Sequence, residues 1–351
     1  MTAASAPGKL FLFGEYAVLG GGWAIVTAVD RRVRASFRPD GGGPYRARGL
    51  DTDETELVDA VARAVGERTG TVPEVGAFRS DVREVFEEDR KLGLGSSAAS
   101  SVALTAAALA RLTDSPDRSD LLAVAESAHR TFQDGIGSGA GLAAAAFGGT
   151  LAVRRRSALP PYDCFEPVEP ADPPPGTRES SADGFSVHRF SLPDEFDLRP
   201  VWLGDPASTL ELAGSVASAL DAGRTEPREV LRTISAGAAN ALRACREGRT
   251  DSLLDAMRRA DRAMESLGRA SETEIAVERH RRLRRIAGEF DLVAKPSGAG
   301  GGDFSLLAGR RPVDWKRVAR EIPEGAELFD LDLGVEGVRP EHGSESTSTG
   351  R

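Results

Sequence analysis

Four of the 45 basic residues in this 351-residue chain are lysines (Lys9, Lys91, Lys295 and Lys316), and the rest are arginines. Three of the four stand beside glycine-rich segments. Lys9 lies in APGKLFLFGEYAVLGGG (6–22), Lys91 opens KLGLGSSAASS (91–101), and Lys295 opens KPSGAGGGD (295–303). An ammonium is a compact charge on a flexible stem, suited to a phosphate oxygen in a tight site where a planar guanidinium fits poorly. The pattern therefore points to phosphate chemistry. An unpartnered lysine in a core is costly, which favours a cleft position for Lys9.

The second segment carries the strongest physical argument. Gly93 and Gly95 allow a tight turn, Ser96 and Ser97 supply hydroxyls, and a helix follows. The free N–H groups and positive dipole end of a helix N-terminus form an anion site. The segment lacks GxxxxGK[ST] and so is not a Walker A loop. Taken alone, it reads equally well as a plain helix cap. In the third segment, glycines at 298, 300, 301 and 302 run into Asp303 between two expected strands. Such a run suits close approach of backbone to a ligand, with a flexible hairpin turn as the plainer alternative.

Several elements must position these segments. Apolar, β-favouring stretches around LGGG (19–22) occupy residues 9–36, and 54–69 has helical periodicity. Helices are expected at 93–112 after its glycine turn and at 119–133 with Ser119 as N-cap, and a strand at 150–156. Residues 157–184, rich in proline and acid, read as a linker or long loop. Two strands, four helices near 208–222, 227–247, 250–267 and 272–288, and a strand (290–295) follow. A glycine turn, a strand (303–308), a helix (313–321) and a strand (326–332) complete the fold. The expected divisions are 1–156, 157–184, 185–335 and a disordered tail at 336–351.

Composition narrows the function. The net charge of −9 argues against a general nucleic-acid or anionic-membrane surface. No apolar run is long enough to span a membrane, and two cysteines, Cys164 and Cys245, are too few for a disulfide framework. A cytoplasmic protein, monomeric or homodimeric, is expected. His129 on an apolar helix reads as structural, Trp202 as core, and Arg154 to Arg156 as a solvated strand end.

The three glycine-rich segments, in this order and spacing, resemble the GHMP kinase superfamily over nearly the whole chain. Within it, GEY (14–16), Lys91 before GLGSSA, AHRTFQDGIGSG (129–139), GDPAST (204–209) and SGAGGGD ending at Asp303 resemble the phosphomevalonate kinase branch. The resemblance implies an α+β, two-domain fold: an N-terminal domain like ribosomal protein S5 domain 2 and a ferredoxin-like C-terminal domain, with ATP between them. It implies an ATP- and Mg²⁺-dependent small-molecule kinase that converts 5-phosphomevalonate to 5-diphosphomevalonate in isoprenoid biosynthesis. Mevalonate kinase, and a nucleotide-binding homologue without turnover, are the alternatives.

The resemblance also implies roles. Lys9 would be catalytic, reaching the transferring phosphoryl group. Gly93, Leu94, Gly95, Ser96, Ser97 and Ala98 would wrap the ATP phosphates, and Gly298, Ala299, Gly300 and Gly301 would close over them. Lys91, Ser138, Ser208 and Asp303 would hold the acceptor. Ser97 and Glu126 are the candidate Mg²⁺ ligands, with Asp134 a further candidate carboxylate. One departure stands out: related kinases carry GSG-x-D, whereas this chain has Gly141 where the aspartate is expected. An alcohol acceptor gains from a positioned base. A phosphate monoester, with its second pKa near roughly 6, is already mostly a dianion at neutral pH and needs cations more.

Overall fold

The computed structural model describes residues 1–41, 44–49, 55–87, 90–113, 117–133, 135, 137–170, 184–204 and 208–341. The N-terminal apolar segment forms β1 (Thr2–Phe13), a 3₁₀ turn at Ala17–Gly20, and β2 (Trp23–Phe37). Both strands are buried along most of their length, so they read as apolar runs rather than alternating patterns. Their antiparallel register shifts between Pro7 and Gly8 and again between Phe11 and Phe13. Such irregularities bend a strand and re-aim its side chains, and Lys9 lies between the two.

A short strand β3 (Arg46–Arg48), helix α1 (Glu56–Thr69) and strand β4 (Phe78–Asp81) follow, then a small hairpin of β5 (Phe86–Glu87) and β6 (Arg90–Lys91). Three helices come next: α2 (Ser96–Leu112), α3 (Arg118–Phe132) and α4 (Ala140–Phe147). They are succeeded by β7 (Thr150–Arg155) and β8 (Phe185–Phe190). The N-cap of α3 is Asp117, whose side chain accepts from the Asp120 N–H, rather than Ser119 as expected. The alanine- and serine-rich face of α2 lets that helix pack closely on β1 and β2, with α1, α3 and α4 around it.

The second half contributes β9 (Phe196–Trp202), helices α5 (Thr209–Asp221), α6 (Thr225–Arg246), α7 (Thr250–Ala270) and α8 (Glu278–Glu289), and strands β10 (Val293–Pro296) and β11 (Phe304–Arg310). It ends with α9 (Trp315–Glu321), β12 (Glu327–Leu328) and β13 (Arg339–Pro340). A four-stranded antiparallel sheet has the order β10–β11–β9–β12, and α7 and α8 pack against β10. Trp202 is buried, as expected. Among the described residues, no helix is long and apolar enough to cross a membrane.

Two expected boundaries are corrected. β8 pairs with β7 and so joins the seven-stranded first sheet, rather than falling with the expected division 185–335. The chain near 336–341 is not a loose tail: β13 pairs with β1, Ala4 opposite Pro340 and Ser5 opposite Arg339. Buried Arg32 adds hydrogen bonds to the carbonyls of Glu336 and Gly337. Within the proline-rich segment, Tyr162 is fully buried and donates to the Ala213 carbonyl at 2.8 Å. Residues 171–183 and 342–351 lie outside the described residues.

Candidate active site

A cavity of about 510 Å³ opens between the two sheets, and all three glycine-rich segments line it. Lys9 enters from β1. Its backbone N–H donates to the Leu94 carbonyl at 2.8 Å, which ties the first segment to the second. Its stem runs past glycines: a Cβ on Gly95 would lie 2.8 Å from Lys9 Cε, and one on Gly141 would lie 3.8 Å from Lys9 Cγ. The ammonium ends beside the third segment, where a Cβ on Gly298 would be 3.8 Å from Nζ. Burial pulls the Lys9 pKa down to about 8, Asp303 raises it, Lys91 lowers it, and Glu15 raises it.

Two helices begin at this cavity. Gly95 (φ 74°) caps α2 and Gly139 (φ 71°) caps α4, both in the left-handed region that glycine enters without steric cost. The first residues of each helix line the cavity. Free N–H groups and two positive dipole ends thus meet the ammonium groups of Lys9 and Lys91, an arrangement suited to binding more than one phosphate.

The expected site residues divide. Lys9, Gly93, Gly95, Ser96, Ser97 and Ala98 all line the cavity. So do Lys91, Ser138, Ser208, Gly298, Ala299 and Asp303. Ser208 also caps α5, accepting from the Glu211 N–H at 3.2 Å. Leu94 is not among the lining residues: its side chain is fully buried in the core, and its carbonyl accepts from the Lys9 N–H. Gly300 and Gly301 are not among the lining residues either: a Cβ on Gly300 would run into Ile275, and the Gly301 N–H donates to the Ile275 carbonyl at 2.9 Å. Glu126 is outside the lining and sits 3.6 Å from Arg155, so a metal role for it is not supported by its placement. Asp134 lies outside the described residues.

Lys295 corrects the phosphate reading of the third lysine. It is fully buried, donating to Glu15 Oε1 at 2.5 Å and to the Pro296 carbonyl at 2.6 Å. Arg155 is likewise not a solvated strand end. It is buried, donates to the Gly137 carbonyl at 3.1 Å, and lies over the Phe185 ring, bracing the turn before α4.

Other site residues escaped sequence reasoning. His129, read as structural, lines the cavity with Nε2 3.3 Å from Ser97 Oγ. Burial, reinforced by Lys91, drives its pKa down to about 4, so the imidazole is neutral at pH 7. Tyr16 adopts φ 60° and ψ −47°, a conformation costing about 1–3 kcal/mol in a non-glycine residue. Its hydroxyl donates to the Ala299 carbonyl at 2.7 Å, tying the first segment to the third. Ser297 adds a reciprocal pair with the Phe11 backbone, at 3.0 Å in each direction. The GEY residues and Ser297 were visible in the quoted motifs, but their side-chain partners depend on pairing between distant segments. At another part of the wall, Tyr45, Leu57, Val58, Val82 and Phe86 form an apolar surface suited to a planar base.

Comparison with known proteins points to one family. Residues 51–149 match the GHMP kinases N terminal domain. The chain is 30% identical to a phosphomevalonate kinase of Streptomyces sp. (strain CL190), covering 95% of this chain and 97% of that one. It is 26% identical to a phosphomevalonate kinase of Saccharolobus solfataricus, covering 97% and 99%. In fold it is similar to the Streptococcus pneumoniae phosphomevalonate kinase solved in complex with phosphomevalonate and AMPPNP. The TM-score is 0.76 at 19% identity, with 95% of this chain and 100% of that one covered.

Proposed function

This chain belongs to the GHMP kinases and is a small-molecule kinase, and from that premise we propose that it transfers the terminal phosphoryl group of ATP to 5-phosphomevalonate. The observation that carries the choice of acceptor is the pairing of two ammonium groups, Lys9 and Lys91, with a glycine at position 141. A carboxylate there would lie against the Lys9 stem. Glycine leaves that place without a base and without an extra negative charge. An acceptor that arrives as a dianion needs no base and gains from both cations. An alcohol acceptor would lose on both counts. The names of the two curated relatives support the same reading.

In the proposed reaction an acceptor phosphate oxygen forms a bond to the γ-phosphorus, the bond from that phosphorus to the β,γ-bridging oxygen breaks, and ADP leaves with the electron pair. The protein's part is positioning and charge neutralisation. The N-termini of α2 and α4 would cradle phosphates, Lys9 would meet charge on the transferring group, and Lys91, Ser138 and Ser208 would hold the acceptor. The apolar wall near Val58 and Phe86 would take the adenine. The described residues contain no cluster of three or more His, Cys, Asp and Glu that could hold a metal. This donor set fits Mg²⁺ that arrives on the nucleotide, since that ion keeps waters and needs few protein oxygens. Ser97 would supply one of them, and the ion would neutralise phosphate charge. The test is ADP release with Mg²⁺-ATP and either 5-phosphomevalonate or mevalonate. Turnover restricted to 5-phosphomevalonate is expected, and a preference for mevalonate would overturn the choice of acceptor.

A further inference from the structure

Lys9 carries its charge into a wall built mostly of glycine, so a group must hold that ammonium in place and in its charged form. Among the described residues, the charged groups that face it are Asp303 from the third segment, Lys91 from β6 and Glu15 after β1. Glu15 is held by Lys295. Position 141, on α4, offers no side chain. Asp303 approaches from the third segment and lies against Gly93. A Cβ on Gly93 would fall 2.5 Å from Asp303 Cγ and 2.6 Å from its Oδ2, while one on Gly95 would fall 2.8 Å from Lys9 Cε. The Asp303 carboxylate and the Lys9 stem therefore both lie against one turn, Gly93–Gly95, whose missing side chains make room for them. The Asp303 carbonyl accepts from the Leu203 N–H at 2.9 Å, which fixes the start of β11 and with it the root of this side chain.

We propose that Asp303 is the positioning carboxylate for Lys9, supplied by the third glycine-rich segment in place of a carboxylate at position 141. It holds the ammonium toward the Gly298 turn without lying where a base on α4 would lie. The catalytic consequence rests on the kinase reading above, but the electrostatic relationship does not.

The short supply of lysines makes a direct test practical. Biosynthetic ¹³C-lysine labelling gives one set of side-chain signals for each of Lys9, Lys91, Lys295 and Lys316, and the Lys9→Arg variant identifies the first by its loss. Asp303→Asn is expected to lower the Lys9 titration midpoint by about one pH unit or more, the shift typical of losing a nearby opposite charge. Adding Gly141→Asp to that variant is expected to raise the midpoint again. In turnover assays, the alkaline limb of the Asp303→Asn pH profile should move in the same direction as the titration and be moved back by Gly141→Asp. Asp303→Ser, which keeps a short polar side chain, gives the same reading if the asparagine variant does not fold. A Lys9 midpoint unmoved in a folded Asp303 variant would overturn the proposal. Absence of turnover on 5-phosphomevalonate in the unaltered protein would instead sink the acceptor reading and leave the titration result standing.

Discussion

Lys295 reaches across the seam between the two sheets to Glu15, Nζ to Oε1 2.5 Å, with both side chains almost completely buried. Glu15 belongs to the turn after β1, and Lys295 to β10 directly before the third glycine-rich segment. Together with the Tyr16–Ala299 and Ser297–Phe11 hydrogen bonds, this pair fixes the third segment over the Lys9 strand. Removing one partner of a buried pair strands the other charge and costs about 3–5 kcal/mol. Glu15→Gln and Lys295→Met should each lower stability by about that amount in denaturant titrations. The double variant should recover part of the loss. Additive losses would mean that the two groups are not coupled.

Lys9→Met should lower kcat by about 10²–10³-fold, the typical effect of deleting one group that stabilises charge in a transition state. Nucleotide binding should persist. Burial puts the folded pKa of Lys9 at about 8, below its ordinary value of 10.5, so its charged form is disfavoured by folding at neutral pH. The same variant should therefore have a higher Tm at pH 7. A Tm that falls together with kcat would point to a structural role instead.

The pH profile follows from the same residue. The Lys9 ammonium dominates below about pH 8, and activity that depends on it is lost as pH rises through that value. On the acid side, the acceptor phosphate gains a proton below roughly pH 6. A plateau between these limits is expected in kcat/KM, with the alkaline limb displaced upward in any Lys9→Arg variant that retains activity. An alkaline limb unchanged by that substitution would assign it to another group.

His129 stands behind Ser97, and its folded pKa of about 4 lies below the ordinary 6.5. The stability linked to this depressed group is full above pH 6.5 and declines as pH falls toward 4. His129→Gln should flatten that acid decline in thermal melts. It should also raise the Mg²⁺ concentration required for half-maximal activity by about tenfold, through loss of the group that orients the Ser97 hydroxyl. Ser97→Ala should raise the requirement at least as much. An unchanged Mg²⁺ requirement in both would remove Ser97 from the metal's neighbourhood.

Much of the site was legible because its chemistry is local. GLGSS before an alanine-rich run encodes a turn, hydroxyls and a helix start in one stretch, and the structure places all but Leu94 of the expected wrapping residues at the cavity. What escaped depends on pairing between distant segments. Lys295 carries the same local signature as Lys91, a lysine ahead of glycines, yet β10 buries it opposite Glu15, far away in sequence. His129 sits on an apolar helix and reads as packing until α3 is laid beside the start of α2. The β8 strand follows a proline-rich segment that resembles a domain boundary, and only its register with β7 returns it to the first sheet. The pairing of β13 with β1 joins the two ends of the described chain, a contact no local pattern announces.

The most direct test of the proposed reaction is ³¹P NMR of the protein incubated with Mg²⁺-ATP and 5-phosphomevalonate. Conversion of the acceptor's phosphomonoester signal into a pair of diphosphate signals, in step with ADP formation, is the expected result. ADP formation that leaves the phosphomonoester signal intact, or none at all with nucleotide bound, would contradict it.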